Sequence, residues 1–214
     1  MLEIHKAIGI LGGTFDPVHF GHLRLAQEVA DMLALNQVYF MPGGTPPHRG
    51  TPQSSAAERV AMVKLAIADN PLFTLDDRET SRSGPSYSFD TLSELRAELG
   101  PACPLVLIMG ADAFLAFNTW HRWREIFDLA HIAVAHRPGA ALANIKDELL
   151  AREFAKRVVS DNYAVQGTPC GTIAVVPITA LDISATAIRA AIQARRSVRY
   201  LLPDAVIARI AINS

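Results

Sequence analysis

The chain is poor in cysteine, in aromatic residues and in net charge. Its two cysteines, Cys103 and Cys170, form no C-x-x-C pair in 214 residues, which argues against a disulfide framework and points to a reducing compartment. Aromatic residues make up 7% and the formal net charge is -1, so the chain offers neither a general positive field nor a run of stacking positions, and no nucleic acid is expected as a partner. There is no H-E-x-x-H string, so metal ligation by the protein is not expected. The early apolar run from Ile8 to Leu11 is too short for a signal peptide or a membrane span, which predicts no membrane partner and a cytoplasmic location.

What is abundant is apolar content. Half of the residues are hydrophobic, enough for one substantial core, and no linker, repeat or low-complexity block divides residues 1–214 into two. Short apolar runs alternate with helical patterns. Strands are expected at Ala7 to Leu11, Gln37 to Met41, Phe73 to Leu75, Leu105 to Met109, His131 to Ala135 and Thr172 to Val176. Helices are expected to start near Gly21, Ala56, Ser88, Ala111, Asn144, Ala185 and Asp204. That alternation predicts an α/β fold of Rossmann-like, doubly wound type, with a mainly parallel sheet covered by helices on both faces. Residues 42–52 are rich in Pro and Gly and read as a loop, while 139–171 carries the weakest pattern. In such folds ligands bind outside the carboxyl ends of the strands, so the glycine turn, Gly110 to Asp112 and His136 to Gly139 should share one edge.

Two strings stand out. The first, GGTFDPVHFGH at residues 12–22, lies between a predicted strand and a predicted helix. Gly12 and Gly13 allow a sharp turn and close approach of a ligand, and the following helix aims its N–H groups and positive dipole end at an anion. His19 and His22 are three apart, so both can project from one face of the helix entrance and donate to phosphate oxygens. No Lys follows the glycines, and their spacing misses G-x-G-x-x-G, so this is neither a Walker A loop nor a dinucleotide fingerprint. Asp16 suits ordering of the turn better than metal binding, since Asp readily bonds nearby backbone. The second string, ISATAIR at 183–189, reads as an N-cap and first helical turns, with Ser184 as the cap and Thr186 and Arg189 on one face. Taken alone, the same residues could be an ordinary turn, paired surface histidines and a capped helix with a solvated Arg. Arg195, Arg196 and Arg199 read as solvated surface.

The string His19-Phe20-Gly21-His22 is the H-x-G-H of a nucleotidyltransferase superfamily, and the chain resembles the bacterial nicotinate-nucleotide adenylyltransferases over nearly its whole length. The matching strings are GGTFDPVHFGHL at 12–23, MPGGTPPHR at 41–49, GPSYSFDTL at 84–92, GADAFLAFNTWHRW at 110–123, HRPG at 136–139 and ISATAIR at 183–189. The resemblance implies one nucleotidyltransferase domain over 1–214 that moves AMP from ATP to nicotinate mononucleotide, giving deamido-NAD and pyrophosphate. Its implied partners are those two substrates and its implied cofactor is Mg2+, held mainly through the ATP phosphates; a homo-oligomer stays open. His19, His22 and Arg189 are the implied catalytic groups. The implied ATP site comprises Gly12, Gly13, Thr14, Phe15, Gly110, Asp112, Arg137, Ile183, Ser184 and Thr186, and the mononucleotide site comprises Thr14, His48, Arg49, Tyr87, Ser88 and Trp120. Ser88 replaces the more usual Thr of its motif, and His121 stands where an aromatic residue is often found. Alternatives are an H-x-G-H transferase acting on nicotinamide mononucleotide, phosphopantetheine or an alcohol phosphate, or a nucleotide-binding module without turnover.

Overall fold

A computed structural model describes residues 7–44, 52–136, 145–179 and 181–212. Among these residues the elements run β1 (Ile8–Gly13), α1 (Phe20–Leu33), β2 (Gln37–Pro42), α2 (Ala56–Ile67), β3 (Phe73–Leu75), α3 (Arg78–Ser81), α4 (Ser88–Leu99), β4 (Leu105–Gly110), α5 (Ala111–Leu115), β5 (His131–His136), α6 (Glu148–Arg157), β6 (Val158–Val159), β7 (Ile173–Pro177), α7 (Ala185–Gln193) and α8 (Asp204–Ile212). Short 3-10 turns occupy Phe117–Thr119, Glu125–Asp128 and Asn162–Gln166.

The seven strands form one sheet in the order β3-β2-β1-β4-β5-β7-β6, and every pairing is parallel. Apolar strand residues send alternate side chains to opposite faces, as the period of two requires. Leu11, Val38, Phe40, Val106, Ile108, Ala133 and Val176 enter one core, closed by Ala26 and Val29 of α1, Met62 and Val63 of α2, Ile188 of α7 and Val206 of α8. Ile10, Met41, Leu105, Leu107, Met109, Ile132 and Val134 enter the other, closed by Leu92 and Leu95 of α4, Phe114 of α5 and Leu150 of α6. Both faces are covered, the doubly wound arrangement expected of these sequence patterns. The direction of winding reverses at β1, with β2 on one side and β4 on the other, and this opens a crevice beyond their carboxyl ends.

Several expectations need adjustment. Gly12 and Gly13 are the last residues of β1, in register with Met41 and Pro42, because pairing with β2 continues through them; the turn begins at Thr14. The helix after β4 is only five residues long. The helix expected near Asn144 begins at Glu148, with the Asp147 carboxylate accepting from Leu150 N–H; residue 144 itself lies outside the described residues. The weakly patterned stretch adds an edge strand, Val158–Val159, beside β7.

Candidate active site at the switch point

The turn between β1 and α1 is fastened from several directions. Phe15 adopts φ 50° and is 1% exposed, so its side chain belongs to the core and only its backbone can meet a ligand. A Cβ on Gly13 would lie 2.9 Å from the Phe15 ring, so this glycine makes room for that phenyl group. Gly12 differs: among the described residues a Cβ there would meet nothing within 4 Å, and the same holds for Gly110 at the end of β4. Thus each of the two strands that flank the reversal carries, at or next to its end, a glycine with no described neighbour on its Cβ side. Asp16 is buried, and its carboxylate accepts from the N–H groups of Gln53, at 2.7 Å, and Ser54, at 3.3 Å. This carboxylate ties the turn to the entrance of α2, the ordering role read for it in the sequence.

His19 is the N-cap residue of α1 and is 5% exposed. Its ring stacks on that of His22, with centroids 3.7 Å apart and planes 25° from parallel. Burial pushes the His19 pKa down to about 4, so the imidazole is neutral near pH 7, and its Nδ1 is buried without a partner among the described residues. The His19 N–H donates to His22 Nδ1 at 3.3 Å. With Nδ1 accepting, a neutral His22 ring would carry its proton on Nε2. Phe15 packs edge-on against the same ring at 5.0 Å.

The second string comes to the first. Ser184 caps α7 by accepting from Ala187 N–H at 3.2 Å. One turn on, the Arg189 guanidinium donates to the backbone carbonyl of Asp16 and to Thr186 Oγ1. The carbonyl of Ile183 lies 3.5 Å from where a Cβ on Gly21 would stand, and Phe20 N–H donates to the Leu201 carbonyl at 3.0 Å. Residues 173 apart in sequence therefore meet at one helix entrance. Arg195, Arg196 and Arg199 are exposed.

On the other side of the crevice, Tyr87 precedes α4 in extended conformation and Ser88 is the helix's first residue, so Ser88 contributes one of the first-turn N–H groups that have no acceptor within the helix. Tyr87 packs on His121 with ring centroids 4.5 Å apart, and Arg122 lies over the Phe89 ring at 3.6 Å. Those contacts attach the 120–122 segment to the start of α4. Trp120 is half-buried and sits edge-on to Phe117 at 5.3 Å, while Trp123 does the same at 5.8 Å; both indoles are anchored by one phenyl ring. Asp112 is exposed in the first turn of α5. His48, Arg49 and Arg137 lie outside the described residues. A separate groove of about 550 Å³ between α1 and α2 takes in Ile183 but no other predicted site residue among those described.

Arg59 was missed by sequence reasoning. It is 2% exposed, and its guanidinium donates to the carbonyls of Thr14, at 2.9 Å, and Gly44, at 3.3 Å. A signal was present: Arg59 stands three and four residues before Met62 and Val63, in the buried stripe of α2, where an unpaired cation is out of place.

The chain matches the cytidylyltransferase-like family over residues 10–191. It is 50% identical over 211 residues to a probable nicotinate-nucleotide adenylyltransferase of Dechloromonas aromatica, covering 98% of this chain and 97% of that one. The chain belongs to the nicotinate-nucleotide adenylyltransferases. A relative of the same description in Pseudomonas aeruginosa is 48% identical over 202 residues, covering 94% and 93% of the two chains. The fold is also that of the Plasmodium falciparum nicotinic acid mononucleotide adenylyltransferase complexed with NaAD, with TM-score 0.72 at 16% identity and coverage of 98% and 96%. The chain is thus a nucleotidyltransferase, and its H-x-G-H string sits where a doubly wound sheet places its ligands. Among the described residues, no helix is long and apolar enough to cross a membrane.

Proposed function

We propose that this enzyme joins ATP and nicotinate mononucleotide in the crevice beyond β1 and β4, releasing pyrophosphate and forming nicotinate adenine dinucleotide. The observation that carries the reading is the Arg189 guanidinium on the Asp16 carbonyl, which unites a cation with two imidazoles and a helix N-terminus. In the reaction a 5′-phosphate oxygen of the mononucleotide attacks the α-phosphorus of ATP. The bond from that phosphorus to the bridging oxygen breaks, and pyrophosphate leaves with the electron pair. A phosphate monoester is largely ionised near neutral pH, so the nucleophile needs no general base. The demands are alignment of two polyanions and stabilisation of charge on the α-phosphate and leaving group.

His22 Nε2–H, the N–H groups opening α1 and Arg189 supply donors and positive potential for that task. Neutral His19 holds His22 in its tautomer through the backbone N–H and supports it by ring stacking. Thr14, Phe15 and Gly12 present backbone to the phosphates, while Gly110, Asp112, Ile183, Ser184 and Thr186 line the nucleotide side. On the acceptor side Trp120 faces the pyridine ring and the Tyr87-Ser88 backbone meets the nicotinate carboxylate. A charge-assisted hydrogen bond there is worth about 1.5 to 3 kcal/mol, favouring acid over amide. Magnesium belongs to the nucleotide substrate in this scheme. Among the described residues no group of three or more His, Cys, Asp or Glu is gathered to hold an ion, and the Asp16 carboxylate is engaged by two backbone N–H groups. Bound with the nucleotide, such an ion would cancel part of the triphosphate charge.

The test is pyrophosphate release with ATP and, in turn, nicotinate mononucleotide, nicotinamide mononucleotide and phosphopantetheine. Preference for the first is expected. Equal rates with the acid and the amide would overturn the specificity, and turnover with phosphopantetheine alone would overturn the acceptor.

A further inference from the structure

We infer that Arg59 is a positioning residue, whose buried guanidinium sets the distance between the turn that holds the triphosphate and the turn that opens toward the acceptor. The inference rests on the function proposed above. Arg59 is 2% exposed, lies on α2 behind the crevice, and makes no hydrogen bond to a carboxylate among the described residues. Instead one terminal nitrogen donates to the Thr14 carbonyl, directly after β1, and the other to the Gly44 carbonyl, two residues after β2. Its Nε is buried without a partner among the described residues. A planar fork of donors is suited to spanning two acceptors at a fixed separation, which a single ammonium is not.

The acceptors are informative in themselves. A peptide unit is planar, with its carbonyl and N–H pointing oppositely. Holding the Thr14 carbonyl toward α2 therefore turns the Phe15 N–H away from α2, in the segment where backbone donors would meet phosphate. Gly44 is confined from its other side. A Cβ there would lie 2.3 Å from the Glu79 carbonyl and 2.9 Å from Ser86 Oγ, and Ser86 leads into the Tyr87-Ser88 start of α4. One guanidinium thus connects the β1 turn, through Gly44, to the segment assigned to the pyridine end. The charge is retained in a costly place: burial lowers the Arg59 pKa, and the Asp16 charge opposes that shift. An arginine kept only to fill space would leave the same volume to an apolar residue without stranding an N–H.

The experiment uses the full chain with Arg59→Lys and Arg59→Gln, measuring melting, binding of ATP and of nicotinate mononucleotide separately, and turnover. A lysine reaches one carbonyl at a time and the amide of glutamine reaches one without charge. For variants that remain folded, each substrate alone should bind close to parentally, while kcat falls roughly a hundredfold, the penalty for misaligning reacting groups by about 1 Å. A folded Arg59→Lys with parental kcat overturns the proposal, as does a loss confined to one binding constant. Failure of both variants to fold assigns Arg59 to the fold alone and overturns it too. If the parent itself fails to turn over these substrates, the proposed function falls and this inference with it, whereas an active parent with active variants removes Arg59 only.

Discussion

The rings of His19 and His22 lie stacked at 3.7 Å, and the backbone N–H of the first donates to Nδ1 of the second. Two imidazolium ions at that separation would repel, and burial keeps His19 neutral, so the pair divides into a support and a donor. Loss of the donor, in His22→Ala, should cost about 3 kcal/mol of transition-state stabilisation, or roughly a hundredfold in kcat, with a smaller change in nucleotide affinity. Steady-state kinetics beside direct ATP binding measures the split, and near-normal turnover would remove His22 from the chemistry.

The support has a signature of its own in stability. The folded pKa of His19, about 4, lies below its ordinary value of 6.5, so between those pH values the unfolded chain binds more protons and stability falls as pH falls. The contribution is complete above about pH 6.5 and is reduced by roughly 2 kcal/mol at pH 5. Buried His131, also lowered by desolvation, acts in the same direction. Urea unfolding of parent and His19→Gln at pH 7 and pH 5 isolates the His19 part; equal pH sensitivity in the two proteins would refute it.

Arg189 spends its hydrogen bonds on a turn carbonyl and a hydroxyl and has no carboxylate among the partners described. Arg189→Ala should lose about 1.5 to 3 kcal/mol of charge-assisted bonding, expressed as roughly 10- to 150-fold in kcat/KM for ATP. Arg189→Lys should recover only part of it, since an ammonium cannot hold both acceptors and a phosphate. Parental kcat/KM in the alanine variant would sever the C-terminal string from the site.

The two glycines ending β1 should separate cleanly. Gly13→Ala drives a methyl group to 2.9 Å from the Phe15 ring and should destabilise the fold by about 1 to 3 kcal/mol. Gly12→Ala meets no described atom within 4 Å, so its melting temperature should stay near that of the parent while ATP binding weakens. Thermal melts with and without ATP distinguish the cases, and the reverse ordering would show that Gly12 does not face the ligand.

Capping makes a smaller prediction, read in stability. Ser184→Ala removes the acceptor of Ala187 N–H and should cost about 1 kcal/mol, or roughly 2 to 4 °C in melting temperature for a chain of this size. An unchanged melting temperature would indicate that water replaces the cap.

Much of the architecture is legible along the chain because the strands are local apolar runs bounded by turns. Leu105 to Met109 and His131 to Ala135 are unmistakable for that reason, each buried on both faces of the sheet. Val158–Val159 escaped because two residues carry no period, and the extension of β1 through Gly12 and Gly13 escaped because glycine signals a turn while register with β2 overrides it. The two strings of the candidate site are equally local, each a strand or cap followed by a helix. Their meeting across α1 is not local, and neither is the grip of Arg59 on Thr14 and Gly44. No spacing rule encodes a contact between residues from separate strand-helix units, so an Arg in an apolar stripe was the only trace. His48, Arg49 and Arg137 lie outside the described residues and stay as readings from resemblance.

The contact between Arg189 and Asp16 also has a temporal meaning. A ribosome delivers Asp16 and the imidazoles first and the guanidinium later, 173 residues after Asp16, a lag on the order of 10 to 30 s at ordinary elongation rates. Throughout that interval the emerging polypeptide has half a nucleotide cradle, so capture of ATP must await the closing helix, and ligand-assisted folding can act only once α7 has left the ribosome.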